Sequence, residues 1–246
     1  LYARENYLFY YGLLHGSLPA DWFRNLTYLD LSENMLGDDD VAEICTELTQ
    51  LTHLYLTNNE LKNTEFSALT GLTHLKVGEN SLTSLDVTAL TNLEHLDCQS
   101  NKITDLKVSG LSNLQWLSCT NNDLTEINTT GLTALGEYFC GGNLLTSIDF
   151  SSIPNVWRLN FGWNKIESID VSSLAHLQLV TPIRQFVGRH KAIFVNGHYE
   201  VDLASAFPGI DISKVIGGGG KGTEAGLYSY DADRKVIIID KTATQY

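Results

Sequence analysis

Three histidines, His53, His74 and His95, lie 21 residues apart, and the next position of that series is Trp116. Three cysteines keep the same interval at Cys98, Cys119 and Cys140. Imidazoles brought side by side could share a metal ion or titrate together near neutral pH, and thiols could bind zinc or pair as disulfides. A structural zinc site, however, draws four ligands in tetrahedral geometry, whereas one histidine per interval supplies them in a row. No CxxC spacing accompanies the cysteines. No metal is therefore expected, and a modest pH dependence of whatever the row contacts is. Asp38-Asp39-Asp40 pairs carboxylates where a helix N-terminus favours negative charge, and GGGGKGT (217–223) lacks the GxxxxGK[ST] spacing of a phosphate loop. That glycine run reads as a flexible hairpin connection. No cofactor is implied.

The shared interval belongs to the chain as a whole. LTHLKVGENSLTSLDVTALTN (72–92), LEHLDCQSNKITDLKVSGLSN (93–113), LQWLSCTNNDLTEINTTGLTA (114–134) and LGEYFCGGNLLTSIDFSSIPN (135–155) align position by position. The frame LxxLxLxxNxL begins at Leu26, Leu51, Leu72, Leu93, Leu114, Leu135 and Val156. Its asparagine falls at Asn34, Asn59, Asn80, Asn101, Asn122, Asn143 and Asn164. A period in the range of roughly 20–29 residues with this frame is the signature of a leucine-rich repeat. The cysteines occupy the place where other copies carry Leu31, Leu56, Val77 and Phe161, so they read as a buried free-thiol ladder standing in for leucine. The asparagine amide, two donors and an acceptor, reads as a structural ladder that satisfies turn backbone in its own and neighbouring coils.

Within the frame, LxL alternation puts two side chains on one face of a short strand and the intervening one on the other. Stacked copies pair these strands in parallel and bury the leucines in one continuous core. The expected architecture is a right-handed, curved solenoid of the α/β type with a parallel sheet on its concave face. A coil of 21 residues leaves little room for an outer helix, so the convex side should be short extended or 3₁₀ segments. One coil is longer. Between Asn34 and Asn59, Val41, Ile44, Cys45 and Leu48 follow the i, i+3, i+4, i+7 pattern of an amphipathic helix.

The ends of a solenoid expose core and need covering. Aromatic and apolar residues 1–25 form the expected N-terminal cap, residues 26–177 the array, and residues 178–246 a small β-rich C-terminal cap or accessory module. In that tail, Asn196-Gly197 between apolar runs is a hairpin signal. The net charge of −13, with sixteen lysines and arginines, argues against a nucleic-acid backbone as partner. No run approaches the ~18 apolar residues of a membrane span.

The chain resembles bacterial leucine-rich repeat proteins of the short 21-residue class, found in secreted and surface proteins of gut bacteria and related in layout to internalin-type adhesins. LEHLDCQSNKITDLKVS and LTHLKVGENSLTSLDVT match the motif LxxLxCxxNxLTxLDVS of that class, and the likeness covers Leu26 to about Leu177. YEVDLASAFPGIDISKV is similar to a segment that follows such arrays. The resemblance implies a secreted or surface location and protein recognition. Coils of 21 rather than 22 residues and the helix-bearing early coil depart from internalins, so a host-receptor partner is not transferred.

Register then nominates a surface. The third frame position gives Tyr28, His53, His74, His95, Trp116, Glu137 and Arg158, and the fifth gives Asp30, Tyr55, Lys76, Asp97, Ser118, Phe139 and Asn160. Of these, Tyr28, His53, Tyr55, His74, Lys76, His95, Asp97, Trp116, Phe139 and Arg158 are the candidate ligand-binding residues. Exposed aromatics on a concave face suit a protein ligand, with a glycan as the alternative. The resulting expectation is a non-enzymatic recognition module of a secreted or cell-surface bacterial protein. A structural spacer within a larger surface protein, or an intracellular inhibitor-like module, are the competing readings.

Overall fold

The computed structural model describes residues 25–166, 173–181, 193–195, 198–202, 228–231 and 236–239. The expected N-terminal cap and the glycine run at 217–223 lie outside these residues.

Each frame produces a three-residue strand: β1 (Tyr28–Asp30), β2 (His53–Tyr55), β3 (His74–Lys76), β5 (His95–Asp97), β7 (Trp116–Ser118), β8 (Glu137–Phe139) and β9 (Arg158–Asn160). With β10 (Leu179–Thr181) they form one parallel eight-stranded sheet, every strand in register with the copy before it. The sheet thus runs one strand past Leu177, and Leu177 and Val180 hold the first and fourth frame positions of that coil. On the opposite side, β4 (Ser84–Asp86) pairs in parallel with β6 (Asp105–Lys107). Elsewhere the convex path turns through single 3₁₀-type bonds, such as Leu90 N–H to Val87 O and Leu93 N–H to Leu90 O, both 2.9 Å.

The core is a column of side chains from successive coils. Leu51, Leu54 and Leu56 of one coil, then Leu72, Leu75 and Val77, then Leu93, Leu96 and Cys98, are fully removed from solvent. None of these coils could bury its apolar face alone, which is why the array folds as a stack. The longer coil carries α1 (Asp38–Glu47), with Val41, Ile44 and Cys45 buried and Leu48 packed at its end. Asp40 Oδ2 accepts the Gly37 N–H at 2.7 Å, and Asp38 Oδ1 accepts from Lys62 N–H, Asn63 N–H and the Thr64 hydroxyl. The acidic run therefore caps a helix and ties it to the next coil.

Coil is joined to coil by the frame asparagines. Asn122 Oδ1 accepts the Ile103 N–H at 2.9 Å, while its Nδ2 donates to Cys119 O of its own coil and Cys98 O of the preceding one, both at 3.0 Å. Asn59, Asn80, Asn101, Asn143 and Asn164 repeat this three-way bridge. The residue before each asparagine is left-handed, at φ between 54° and 60° in Glu33, Asn58, Glu79, Ser100, Asn121 and Trp163, and 66° in Gly142. That conformation disfavours L residues, so its recurrence reports a backbone path set by the stack.

In the tail, β11 (Ile193–Val195), β12 (His198–Asp202), β13 (Tyr228–Asp231) and β14 (Val236–Ile239) form an antiparallel sheet in the order β11-β12-β14-β13. Val195 pairs with His198, so the strands flanking Asn196-Gly197 form a hairpin.

Replacing Asn122 with alanine strands the buried Ile103 N–H and leaves Cys98 O and Cys119 O with one asparagine donor each instead of two, and should lower stability by about 1–3 kcal/mol. Asn122→Asp, which keeps the acceptor and loses the donors, should be no better at neutral pH. Urea unfolding followed by circular dichroism measures both.

Candidate functional site

In a parallel, in-register sheet the outward positions of neighbouring strands stand side by side, so identical frame positions form columns. His53 pairs with His74, His74 with His95, and His95 with Trp116. Their rings go further than adjacency and stack. Centroids are 4.3 Å apart for His53 and His74 with planes 10° from parallel, 4.8 Å and 6° for His74 and His95, and 5.3 Å and 17° for His95 and Trp116. Tyr28 continues the column beyond His53 at 5.5 Å, and Phe139 continues it beyond Trp116 at 5.5 Å.

Phe139 belongs to the neighbouring column. It joins the line because the third position of its own coil is Glu137, whose carboxylate pairs with the Arg158 guanidinium at 3.1 Å. Arg158 in turn lies 5.0 Å from the Phe139 ring centroid. At the other end, Tyr55 packs edge-on against Tyr28 at 5.2 Å, and the Lys76 ammonium sits 4.7 Å above the Tyr55 ring. Both cations of the surface are thus in cation–π contact, which orients them without burying them. Asp97 is half-buried, and burial raises its carboxyl above the usual range despite the N–H it accepts from Gln99.

Two threonines fix the imidazole orientation. Thr52 Oγ1 lies 2.9 Å from His53 Nδ1, and Thr73 Oγ1 lies 3.0 Å from His74 Nδ1. His74 is held below the ordinary imidazole range by burial first, then by His53 and His95; His95 is held down by burial first, then by Lys76. Among the described residues no group of three histidine, cysteine or acidic side chains could hold a metal ion. Parallel stacked rings aim their in-plane lone pairs alongside one another rather than at a common point.

All ten candidate residues therefore lie on the outer face of one sheet, with Tyr28, His53, His74, His95, Trp116 and Phe139 in continuous ring contact. Two exposed indoles fall outside the columns that register nominated. Trp157, immediately before β9, lies over Gly136, where a Cβ would come within 2.9 Å of the indole Nε1. Trp163, 55% exposed, stands in the left-handed position after β9. Their size and exposure could have flagged them, but their frame positions, the second and eighth, are not strand positions.

On the inner face Cys98, Cys119 and Cys140 are buried one per coil as free thiols. Cys98 Sγ donates to Ser118 O at 3.4 Å and Cys119 Sγ to Phe139 O at 3.5 Å. Burial pushes the Cys140 thiol up to about 12 and that of Cys45 to about 11, and raises Cys98 and Cys119 as well. These are packing groups, not nucleophiles.

A parallel sheet built from a 21-residue frame, bridged by asparagines and backed by one apolar column, defines a leucine-rich repeat protein. The family description "Leucine Rich repeats (2 copies)" matches residues 70–112 and "Leucine Rich repeat" matches residues 24–45. Among solved structures, the functional domain of InlJ from Listeria monocytogenes is 34% identical over 67% of this chain, with a TM-score of 0.62. That domain includes a cysteine ladder. A leucine-rich repeat protein of Leptospira interrogans, 24% identical over 67% of this chain with a TM-score of 0.50, shares the fold. The chain spans 36% of the InlJ structure and 50% of the Leptospira one. No curated protein matches the sequence. The array is thus similar in sequence and fold to a bacterial internalin-type leucine-rich repeat domain. Among the described residues no helix is long and apolar enough to cross a membrane.

At pH 8 the folded protein should leave all four cysteines unreacted with a colorimetric disulfide reagent over minutes, and all four should react in denaturant. Rapid native reaction at Cys98, Cys119 or Cys140 would contradict the buried ladder.

Proposed function

We propose that the chain is a non-enzymatic recognition module of a secreted or cell-surface bacterial protein, and that it binds a protein ligand on the concave face of its sheet. The observation carrying this reading is the unbroken ring column from Tyr28 to Phe139. Pre-stacked rings lose little conformational entropy on binding, and aromatic groups at the centre of a surface dominate binding energies. The column favours a protein over a glycan. A sugar ring packs on an aromatic face, but here most faces are occupied by the neighbouring ring, and what remains outward is ring edge: imidazole nitrogens, C–H groups and the indole rim.

The polar surround fits the same ligand class. Glu137 and Arg158 are already paired at 3.1 Å, and Lys76 is held over Tyr55, so the rim offers oriented charges without a single dominant sign. Polar rims around aromatic centres are the usual anatomy of protein interfaces.

Two experiments test the reading. Protease shaving of intact source cells, with mass spectrometry of the released peptides, should recover peptides of this chain; recovery only after lysis would overturn the surface location. Replacing Trp116 and Phe139 together with alanine should weaken binding of a captured protein ligand by about tenfold to a hundredfold, or roughly 1.4–2.8 kcal/mol. The array should still unfold cooperatively. Unchanged affinity in that variant would move the site off the concave face.

A further inference from the structure

The imidazoles of His53, His74 and His95 stand face to face with nothing between them, at 4.3 Å and 4.8 Å. Each threonine hydroxyl beside a ring nitrogen also lies 3.0 Å from a carbonyl of the preceding coil, Thr52 Oγ1 from Thr27 O and Thr73 Oγ1 from Thr52 O. The hydroxyl proton therefore has two destinations. Beside a neutral ring it can go to Nδ1; beside an imidazolium, Nδ1–H donates to the hydroxyl oxygen and the hydroxyl proton goes to the carbonyl. Either protonation state of His53 or His74 is satisfied without turning the ring. The obstacle to charging the row lies between the rings, where each added proton faces a like charge one stacking distance away.

The other groups facing the row do not cancel that repulsion. Tyr28 and Tyr55 contact His53. Glu94 favours a charge on His74 and Lys76 opposes it; Glu94 and Glu137 favour a charge on His95, again against Lys76. Asp97, the strand neighbour of Lys76, is itself held toward its neutral form by burial. At the far end His95 lies flat on the Trp116 indole, and an imidazolium is attracted to that face. A charged row thus keeps its contact with Trp116 and separates at the gaps flanking His74.

We propose that the stacked row of His53, His74 and His95 is a pH-sensitive element of the concave face, in which protonation of His74 and His95 at mildly acid pH opens the ring column at His74 and changes the shape and charge of the surface together. That the change would release or admit a ligand rests on the proposed binding role. The charging of the row does not. With His74 and His95 held below the ordinary imidazole range, the unfolded chain takes up protons first, near pH 6.5. Their contribution to folding stability is therefore fully present above about pH 6.5 and is lost as pH falls through that value toward the folded-state values.

The test uses the full chain without any ligand. Histidine ring resonances are followed by NMR from pH 8 to pH 5, assigned through the His53→Gln, His74→Gln and His95→Gln variants. His74 should titrate below the ordinary value, and His53→Gln and His95→Gln should each raise its midpoint by about 0.7 pH unit, the effect of one unit charge at 4–5 Å in water. The fluorescence of Trp116, taken as the difference between the parent and Trp116→Phe, should fall as His95 is protonated and stay level in His95→Gln. A single His74 midpoint unmoved by either neighbour's removal overturns the proposal, as does a Trp116 signal that is flat with pH in the parent. If the Trp116 and Phe139 alanine variant binds its ligand normally while the coupled titration is seen, the binding site is wrong and the pH-sensitive row stands; the reverse pair of results removes the row and leaves the site.

Discussion

The hydrogen bonds of one side chain hold the rest of this structure in place: the amide of the frame asparagine. Its oxygen takes an N–H from the coil before, and its nitrogen gives to a carbonyl in each of two coils, so a single buried group closes three backbone positions that water cannot reach. Aspartate lacks the donors and glutamine places the same amide a methylene too far out. Serine reaches only one partner. The chemistry leaves asparagine as the residue that fits, and once it is fixed in every coil the strands of adjacent coils have no freedom of register.

Everything on the outer face follows from that loss of freedom. Because Leu75 pairs with Leu54 and Leu96, the residues beside it, His74 and Lys76, must stand next to their counterparts two columns wide along the sheet. A flat column of rings is thus a by-product of stacking wherever the sequence repeats an aromatic or imidazole group at the third position. The inner face obeys the same rule with different content: Cys98, Cys119 and Cys140 occupy one column because thiols pack there as leucine does, with their protons turned to the carbonyl of the next coil or kept out of solution chemistry by burial. Identical spacing on two faces has produced an inert ladder inside and a titratable row outside, and the difference is burial.

The coils were legible in the sequence because their evidence is periodic: seven frames agree on which residues turn inward, and α1 shows itself by the i, i+3, i+4 spacing of Val41, Ile44 and Cys45. Which side chains share the outer face was legible for the same reason. What those side chains do with each other was not. That the imidazoles lie flat depends on ring torsions set by Thr52 and Thr73, and that Phe139 crosses into the column depends on Glu137 turning to Arg158. The left-handed residue before each asparagine left only a partial compositional trace: Asn58, Asn121 and Gly142 are types that favour such a backbone, but Glu33, Glu79, Ser100 and Trp163 adopt it as well. The strand at Leu179–Thr181 escaped because its frame is cut short: Leu177 and Val180 hold the first and fourth positions, but Pro182 stands at the sixth and no frame asparagine follows. The ligand has no periodic signature at all.

Whether asparagine bridging makes the array one cooperative body is read from native-state hydrogen exchange of the amides that donate to the asparagines, among them those of Leu61, Leu82, Ile103, Leu124 and Leu145. If the bridges hold the coils together, these turn amides should exchange as slowly as the strand amides of Leu75, Leu96 and Leu117, and with the same dependence on denaturant. Exchange at the rate of exposed loop amides, while the strands remain protected, would show that the sheet stands without the bridges and that bridging follows from the sheet instead of fixing it.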